Sequence, residues 1–476
     1  MPRTKIVCTV GPSSSSADKI KSLISGGMNV ARLNMSHGEH EWHREVFARV
    51  REISDEMEAN IAIMMDLQGP KIRTGTLKNG EPVVLEPGAT FTITTREVEG
   101  TLERVSTIYK ALPEDAEIGQ ALLLADGAME LVVREVFDKD VVCEVIIGGE
   151  LGEHKGINLP ETIVSVAIPT EKDQRDLELA CELGADFVAL SFVRTAAEVQ
   201  RIANLIKKTG RDIGIVSKIE KPEAIEHLDG IIEASDAIMV ARGDLGVEMI
   251  PERVPSMQKD IIARCNRVMK PVITATQMLE SMMNNPRPTR AEASDVANAI
   301  YDGTDAVMLS GETASGDYPI EAVKMMARIA LATEKDIQRT DWIPPVRSLS
   351  DIDVSEAIGH ATCQAAEDLG FDVQTIVCFT MSGYTGRLIS AYRPNATIFV
   401  ATKDDETARK LALNWGLRPF LIREVSDTED MVKAIDESLL GKELVNPGEA
   451  MIITAGTPFR VSGTTNLMKI HRAGET

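Results

Sequence analysis

Eight short apolar runs, each followed by a stretch of helical periodicity, restrict what this chain can become more than any other feature. KIVCTV (5–10), MNVARLNM (28–35), IAIMMDL (61–67), FVALSFV (187–193), IGIVSKI (213–219), AIMVAR (237–242), VITATQM (272–278) and AVMLS (306–310) read as buried strands. Helical patterns separate them, near Ala17 to Ile24, near Glu41 to Met57, and where Thr289 with Glu292 forms a capping box. Such alternation predicts parallel strands joined by helical crossovers, and eight units fit a closed (β/α)8 barrel better than an open sheet. The rhythm breaks from about Lys71 to Ile163, where Thr- and Val-rich runs such as TFTITT (90–95) and DVVCEVII (140–147) predict a β-rich insertion. RTDWIPPVRSLSD (339–351), with its two prolines, reads as a linker. Beyond it, TIVCFT (375–380), TIFVAT (397–402), PFLIRE (419–424) and AMIITAG (450–456) restart the alternation. The expected class is α/β: a barrel from residues 1–69 and 166–340, an inserted β-barrel-like domain over 70–165, and a C-terminal parallel α/β domain over 351–476.

A length of 476 residues accommodates three such units. The formal net charge of −22 argues against nucleic acid or an anionic membrane as a partner, because a basic footprint would work against the field of the whole chain. A phosphate ligand would need a local basic pocket. The six cysteines are dispersed without a CxxC pair, which suits reduced, buried thiols and a cytoplasmic location. No apolar run approaches membrane-spanning length, and the N-terminus enters a strand too short for a signal-peptide core. Met64, Met65, Met325 and Met326 read as core filling rather than a binding surface.

A barrel carries its chemistry at the carboxyl ends of its strands, and polar residues collect there. Arg32, Asn34 and Ser36 follow the second strand, Asp66 the third, Lys218 and Glu220 the fifth. Arg242 and Asp244 follow the sixth, Thr276 and Gln277 the seventh, Ser310 and Glu312 the eighth. In IGIVSKIEKPEAI (213–225), period-two alternation puts Lys218 and Glu220 on one side, with Pro222 opening a helix. Any one of these ends could be ordinary loop solvation or a surface ion pair; six at one predicted face favour a site. In the C-terminal domain, TMSGYTGR (380–387) sets Thr380, Ser382, Gly383 and Thr385 before a helix, a place suited either to an anion such as phosphate or to plain N-capping.

KIVCTVGP (5–12), MNVARLNMSHG (28–38), GPKIRTG (69–75), SKIEKPEAI (217–225), MVARGDLGVE (239–248), ATQMLESM (275–282), the block from Asn285 to Pro319 and GTTN (463–466) resemble, in order, the motifs of pyruvate kinase. That resemblance implies a lid inserted after the third strand, a C-terminal effector domain and a homotetramer. It implies transfer of a phosphoryl group from phosphoenolpyruvate to ADP, giving pyruvate and ATP, with Mg2+ or Mn2+ as cofactor. No protein nucleophile is needed, so the site must position both substrates and neutralise charge. Glu220 and Asp244 are hard oxygen ligands suited to the metal. By resemblance, Lys218 lies against the transferring phosphoryl group, Arg32 and Arg73 contact phosphate, Gly243 and Asp244 lie against substrate, and Thr276 sits near the carbon that takes a proton. Asn34, His37, Arg73 and Lys155 resemble nucleotide contacts, and Asp126 a lid residue that reaches the site on closure; outside its SHG context, His37 would read as a helix-start histidine. Thr380, Ser382, Gly383 and Thr385 resemble the phosphate-binding turn for a phosphorylated effector.

The chain departs from the family at one point. Many members need K+ near the residues matching Asn34, Ser36, Asp66 and the carbonyl of Leu67, and carry a Thr–Lys pair where this chain has Leu67 and Gln68 and an acid where it has Lys71. Thr74 follows the K+-requiring pattern. The expectation is that the Lys71 ammonium replaces the ion and that K+ is not required. A Mg2+-dependent barrel lyase or aldolase acting on enolates is the alternative, and it leaves the lid's basic residues without a role.

Overall fold

The computed structural model describes residues 1–160, 162, 165, 166, 168–337, 353–459 and 464–475. The linker expected over 339–351, Gly463 of the GTTN motif and Ile163 fall outside the described residues.

Eight parallel strands close on themselves: β1 (Lys5–Thr9), β2 (Val30–Asn34), β3 (Ala62–Asp66), β4 (Phe187–Leu190), β5 (Gly214–Ile219), β6 (Ala237–Ala241), β7 (Val272–Ala275) and β8 (Ala306–Leu309). Each pairs with its sequence neighbour, and β1 pairs with β8. Alternate residues point inward, so Val7, Val30, Ala62, Met64, Phe187, Ala189, Val216, Ala237, Met239, Ile273 and Met308 form one buried cluster inside the barrel. The other parity faces the surrounding helices. Met65 and Met326 are fully buried there, as core filling requires.

The strand expected over 272–278 stops at Ala275, because Thr276 and Gln277 adopt φ of 70° and 53°. A β-branched residue in that region is strained, by about 1–3 kcal/mol in such settings, and such strain clusters where a site dictates geometry.

The insertion after β3 holds a six-stranded sheet in the order Ile157–Asn158, Ala121–Leu124, Met129–Val136, Asp140–Ile147, Thr90–Thr94, Arg104–Ser106, with a separate pair formed by Val83–Leu85 and Gly149–Leu151. Along Asp140–Ile147, Val141, Cys143 and Val145 are buried, and together with Phe91, Ile93 and Leu131 they give the insertion its own core.

The C-terminal sheet runs β11-β10-β9-β12-β13, with β9 (Val373–Phe379), β10 (Thr397–Thr402), β11 (Leu417–Leu421), β12 (Ala450–Ala455) and β13 (Leu467–Arg472). The first four are the expected parallel set; β13 is an added antiparallel edge strand.

This domain stoppers the barrel floor. Ala412 and Leu413, in the short turn of helix Leu411–Leu413, pack into the barrel's interior cluster. Around the plug, the buried Lys5 ammonium donates to the Leu417 carbonyl at 2.6 Å. Burial and the nearby Arg418 pull its pKa down to about 7. Asp186 bridges Arg51 at 2.6 Å and Arg409 at 2.9 Å, tying barrel to C-terminal domain.

Candidate active site

The parity that fills the barrel interior continues to the carboxyl ends of the strands. Val30 leads to Arg32, Met64 to Asp66, Ala189 to Ser191 and Val216 to Lys218, so charged and polar side chains replace apolar ones on the inward side at the barrel mouth. They form a connected ring. Arg32 donates through Nη1 to the Thr9 hydroxyl at 2.8 Å and through Nε to Asp66 at 2.6 Å. Lys218 Nζ lies 3.4 Å from the other Asp66 oxygen, 2.8 Å from Glu220 Oε1 and 2.7 Å from Ser191 Oγ. These are not surface ion pairs: side-chain exposure is 11% for Lys218, 2% for Asp66 and 1% for Glu220.

Charges this deeply buried persist only if they compensate one another. Burial alone would depress Lys218, but Asp66, Glu220 and Asp244 outweigh it and hold the ammonium above the ordinary lysine range. Burial would likewise raise Asp66, yet Lys218 and Arg32 keep it ionised, below the usual value. Glu220 is the odd member. Burial pushes it up to about 7, with Asp244 adding to the rise and Lys218 only partly offsetting it. One Glu220 oxygen accepts from the Phe192 amide at 2.7 Å, while Oε1 has no hydrogen-bond partner besides its ion pair.

Asp244 lies on the helix Arg242–Glu248 directly after β6. The strained Thr276 turns its hydroxyl into the same corner, where it accepts from the Gly243 amide at 2.7 Å and donates to the Ala275 carbonyl at 2.6 Å. A cleft of ≈ 1010 Å3 opens here, lined by Gly243, Asp244, Thr276 and Gln277 from the barrel and by Lys71 and Asp126 from the insertion. Two hard carboxylates, Glu220 and Asp244, one with an oxygen met only by its ion pair with Lys218, have the chemistry to hold a Mg2+. Among the described residues no group of three or more metal-ligating side chains exists, so the protein alone offers no closed cage.

The insertion contributes a rim of cations. Arg73 pairs across its stem with Gly156 and donates to the His154 carbonyl at 3.1 Å, and Lys155 is exposed beside it. Lys71 Nζ is 3.9 Å from Asp126 Oδ1, with Asp126 at φ 56° on an exposed turn. His37 feels this group: burial first, then Arg73, Lys71 and Arg32, lower its pKa, which favours the neutral imidazole. Asn34 stands beside Asp66 in register and caps the Ser36 amide at 3.1 Å, while the Leu67 carbonyl accepts from Ser191 at 2.7 Å. The insertion is also tied down. Asn158 donates to Glu248 at 2.8 Å, and Glu248 pairs with Lys221 at 2.8 Å, linking the returning strand to the segments that carry Glu220 and Asp244.

Arg242, Ser310 and Glu312 also line this cleft, with their polar groups already engaged by neighbouring loops. Arg242 spends its guanidinium on Asp295 at 2.7 Å and on the Thr276 carbonyl at 2.8 Å, and buried Glu312 accepts from the Ser310 and Leu279 amides at 2.7 and 3.1 Å. These residues shape the loops around the cleft. Ser191 and Thr9, which the motif reading passed over, belong to the ring, and inward parity is the signal that finds them.

Far from the mouth, Gly383 takes φ 80° at the start of the helix Tyr384–Tyr392, with Ser382 exposed beside it and Thr380 buried. Thr385 is buried, its hydroxyl shared with Thr465 at 2.9 Å, so it braces the turn against the GTTN segment.

Residues 1–323 match the family described as pyruvate kinase, barrel domain, and residues 356–471 the one described as pyruvate kinase, alpha/beta domain. Pyruvate kinases of Staphylococcus aureus strains MRSA252 and USA300 are 45% identical over 477 aligned residues, covering 100% of this chain and 81% of theirs. A crystal structure of a pyruvate kinase from Cryptosporidium parvum superimposes with a TM-score of 0.91 at 39% identity, covering 99% of this chain and 96% of that one. With both segments matched in order and the whole length aligned, this chain belongs to the pyruvate kinase family.

Proposed function

We propose that this phosphotransferase moves the phosphoryl group of phosphoenolpyruvate to ADP at the barrel mouth, with Lys218 against the group in transfer. The observation that carries the reading is the buried Lys218 ammonium, held charged by Asp66 and Glu220 and by Asp244, which lines the cleft that Lys71 of the insertion also reaches. A fixed, desolvated positive charge acts most strongly where negative charge spreads in the transition state, and there is no covalent step for the protein to perform. Arg32 and Arg73 supply the phosphate contacts. Asn34, His37 and Lys155 with Arg73 line the nucleotide side, and Asp126 meets it when the lid closes. Glu220 and Asp244 would hold a Mg2+, which would supply charge neutralisation for the phosphoryl group in transfer. Thr276 would lie near the enolate carbon that takes a proton, its hydroxyl acting through water because a hydroxyl is a poor acid by itself. A coupled assay decides between readings: ATP and pyruvate formed from phosphoenolpyruvate and ADP support it, and carbon–carbon cleavage of 2-oxo acids without transfer would replace it with a lyase.

Lys71 stands in for K+ in this reading. Its ammonium reaches the cleft next to Asp126 and is felt at His37, and the Asn34 and Leu67 oxygens already carry protein hydrogen bonds. A tethered ammonium supplies the charge without the entropic cost of binding an ion. The expected result, in a buffer of bulky organic cations, is nearly full activity without K+, with Lys71→Glu losing most of it and recovering part on addition of KCl. Strong activation of the unmutated enzyme by KCl would contradict this.

Regulation is assigned to the turn holding Thr380, Ser382, Gly383 and Thr385, where a phosphorylated small molecule would meet a helix N-terminus. Ser382 is the side chain to change, because it is exposed while Thr385 is committed to Thr465. A thermal-shift screen of sugar phosphates and nucleotides should yield an activator, and Ser382→Glu should remove both its shift and its activation through like-charge repulsion. Activation that survives in the variant would put the effector elsewhere. The assembly is taken to be a homotetramer, on family likeness, and the compartment the cytoplasm, in keeping with six buried, unpaired cysteines.

A further inference from the structure

Lys218 has three N–H bonds and three neighbours, and the neighbours are not equivalent. Asp66 and Glu220 are carboxylates that neutralise the ammonium; Ser191 is neutral, so it can fix where the ammonium points without reducing its charge. Its hydroxyl has no freedom of its own. Ser191 is 2% exposed at the end of β4, and its one hydrogen goes to the Leu67 carbonyl at 2.7 Å, with Asp66 Oδ1 at 3.5 Å too distant to compete. That leaves an oxygen lone pair facing Lys218 Nζ at 2.7 Å.

We propose that Ser191 is a positioning residue for phosphoryl transfer: oriented by the Leu67 carbonyl, its hydroxyl sets the direction of the Lys218 ammonium. This rests on the reading of Lys218 as the group that meets the transferring phosphoryl. Ser191 touches neither substrate nor reacting atoms and acts only through Lys218. A charge displaced by about 1 Å can cost roughly a hundredfold in rate, so a small pivot has a large consequence.

The reaction divides into phosphoryl transfer and protonation of the enolate, and Lys218 serves the first. The test is to compare kcat for transfer with exchange of pyruvate methyl protons into deuterated water, followed by proton NMR, in the unmutated enzyme, Ser191→Ala and Ser191→Cys. Ser191→Ala should lose about a hundredfold in kcat, keep its KM values and melting temperature, and exchange pyruvate protons within about twofold of the unmutated rate. Ser191→Cys, similar in size but a poor hydrogen-bond partner, should be as slow in transfer as Ser191→Ala. Unchanged kcat, exchange that falls in step with transfer, or full recovery in Ser191→Cys would each overturn the proposal, the second by reducing Ser191 to a structural residue. An unmutated protein that transfers no phosphoryl group would instead overturn the reading of the site on which the proposal rests.

Discussion

Lys218→Met should lower kcat by roughly a thousandfold while moving the KM for either substrate by no more than about threefold. The asymmetry follows from where the ammonium sits. It is buried between Asp66 and Glu220, so its charge is maintained in the resting protein and needs no reorganisation when negative charge develops nearby. Methionine keeps the stem's volume and removes that charge. The change also strands part of a buried charge network, and removing one partner of a buried ion pair commonly costs about 3–5 kcal/mol. Asp66 retains Arg32 at 2.6 Å, and Glu220, already pushed up to about 7, can take a proton, so the loss of stability should lie at or below the lower end of that range. Steady-state kinetics well below the melting temperature of the variant, with both measured on one preparation, separates rate from stability. Near-normal turnover would remove Lys218 from the chemistry.

Glu220→Gln and Asp244→Asn should each raise the Mg2+ concentration for half-maximal activity sharply. Loss of an outer-shell partner typically costs about 10- to 100-fold in metal affinity, so loss of a direct carboxylate ligand should cost at least about that much. Both substitutions keep side-chain size and leave Lys218 a partner in Asp66 and Ser191. Titrating Mg2+ by activity and, without turnover, by the metal-dependent shift in melting temperature gives two independent readings. Unchanged titrations in both variants would move the metal to other residues.

The barrel was legible in the sequence because inward and outward residues both had to be apolar, which leaves eight short, largely apolar runs alternating with helical stretches on either side of the insertion. The edge strand Leu467–Arg472 was not, since LMKIHR exposes most of its residues and carries two basic side chains in six positions. The end of β7 was misjudged for a different reason. VITATQM offers no Gly or Pro to stop a strand, and only the left-handed backbone at Thr276 and Gln277, where the Thr276 hydroxyl accepts from the Gly243 amide, cuts it short.

At the site, residue type and position at a strand end were enough to find Arg32, Asp66 and Lys218 in the buried ring, and Arg242 and Glu312, which line the cleft while also bracing neighbouring loops. What separates the two groups is partners across the barrel, and those appear only when strands far apart in sequence close into a ring. Ser191 shows the converse. A serine in FVALSFV carries no mark of function, yet its parity with Ala189 puts it beside Lys218.

The central claim is that this mouth transfers a phosphoryl group, and phosphorus NMR observes that transfer directly. Phosphoenolpyruvate, ADP and Mg2+ incubated with the unmutated protein should lose the enol-phosphate resonance and gain the γ-phosphate of ATP in equal amount, with Lys218→Met slowing both together. Release of inorganic phosphate without ATP, or ATP formed at an unchanged rate by the Lys218→Met protein, would contradict the account.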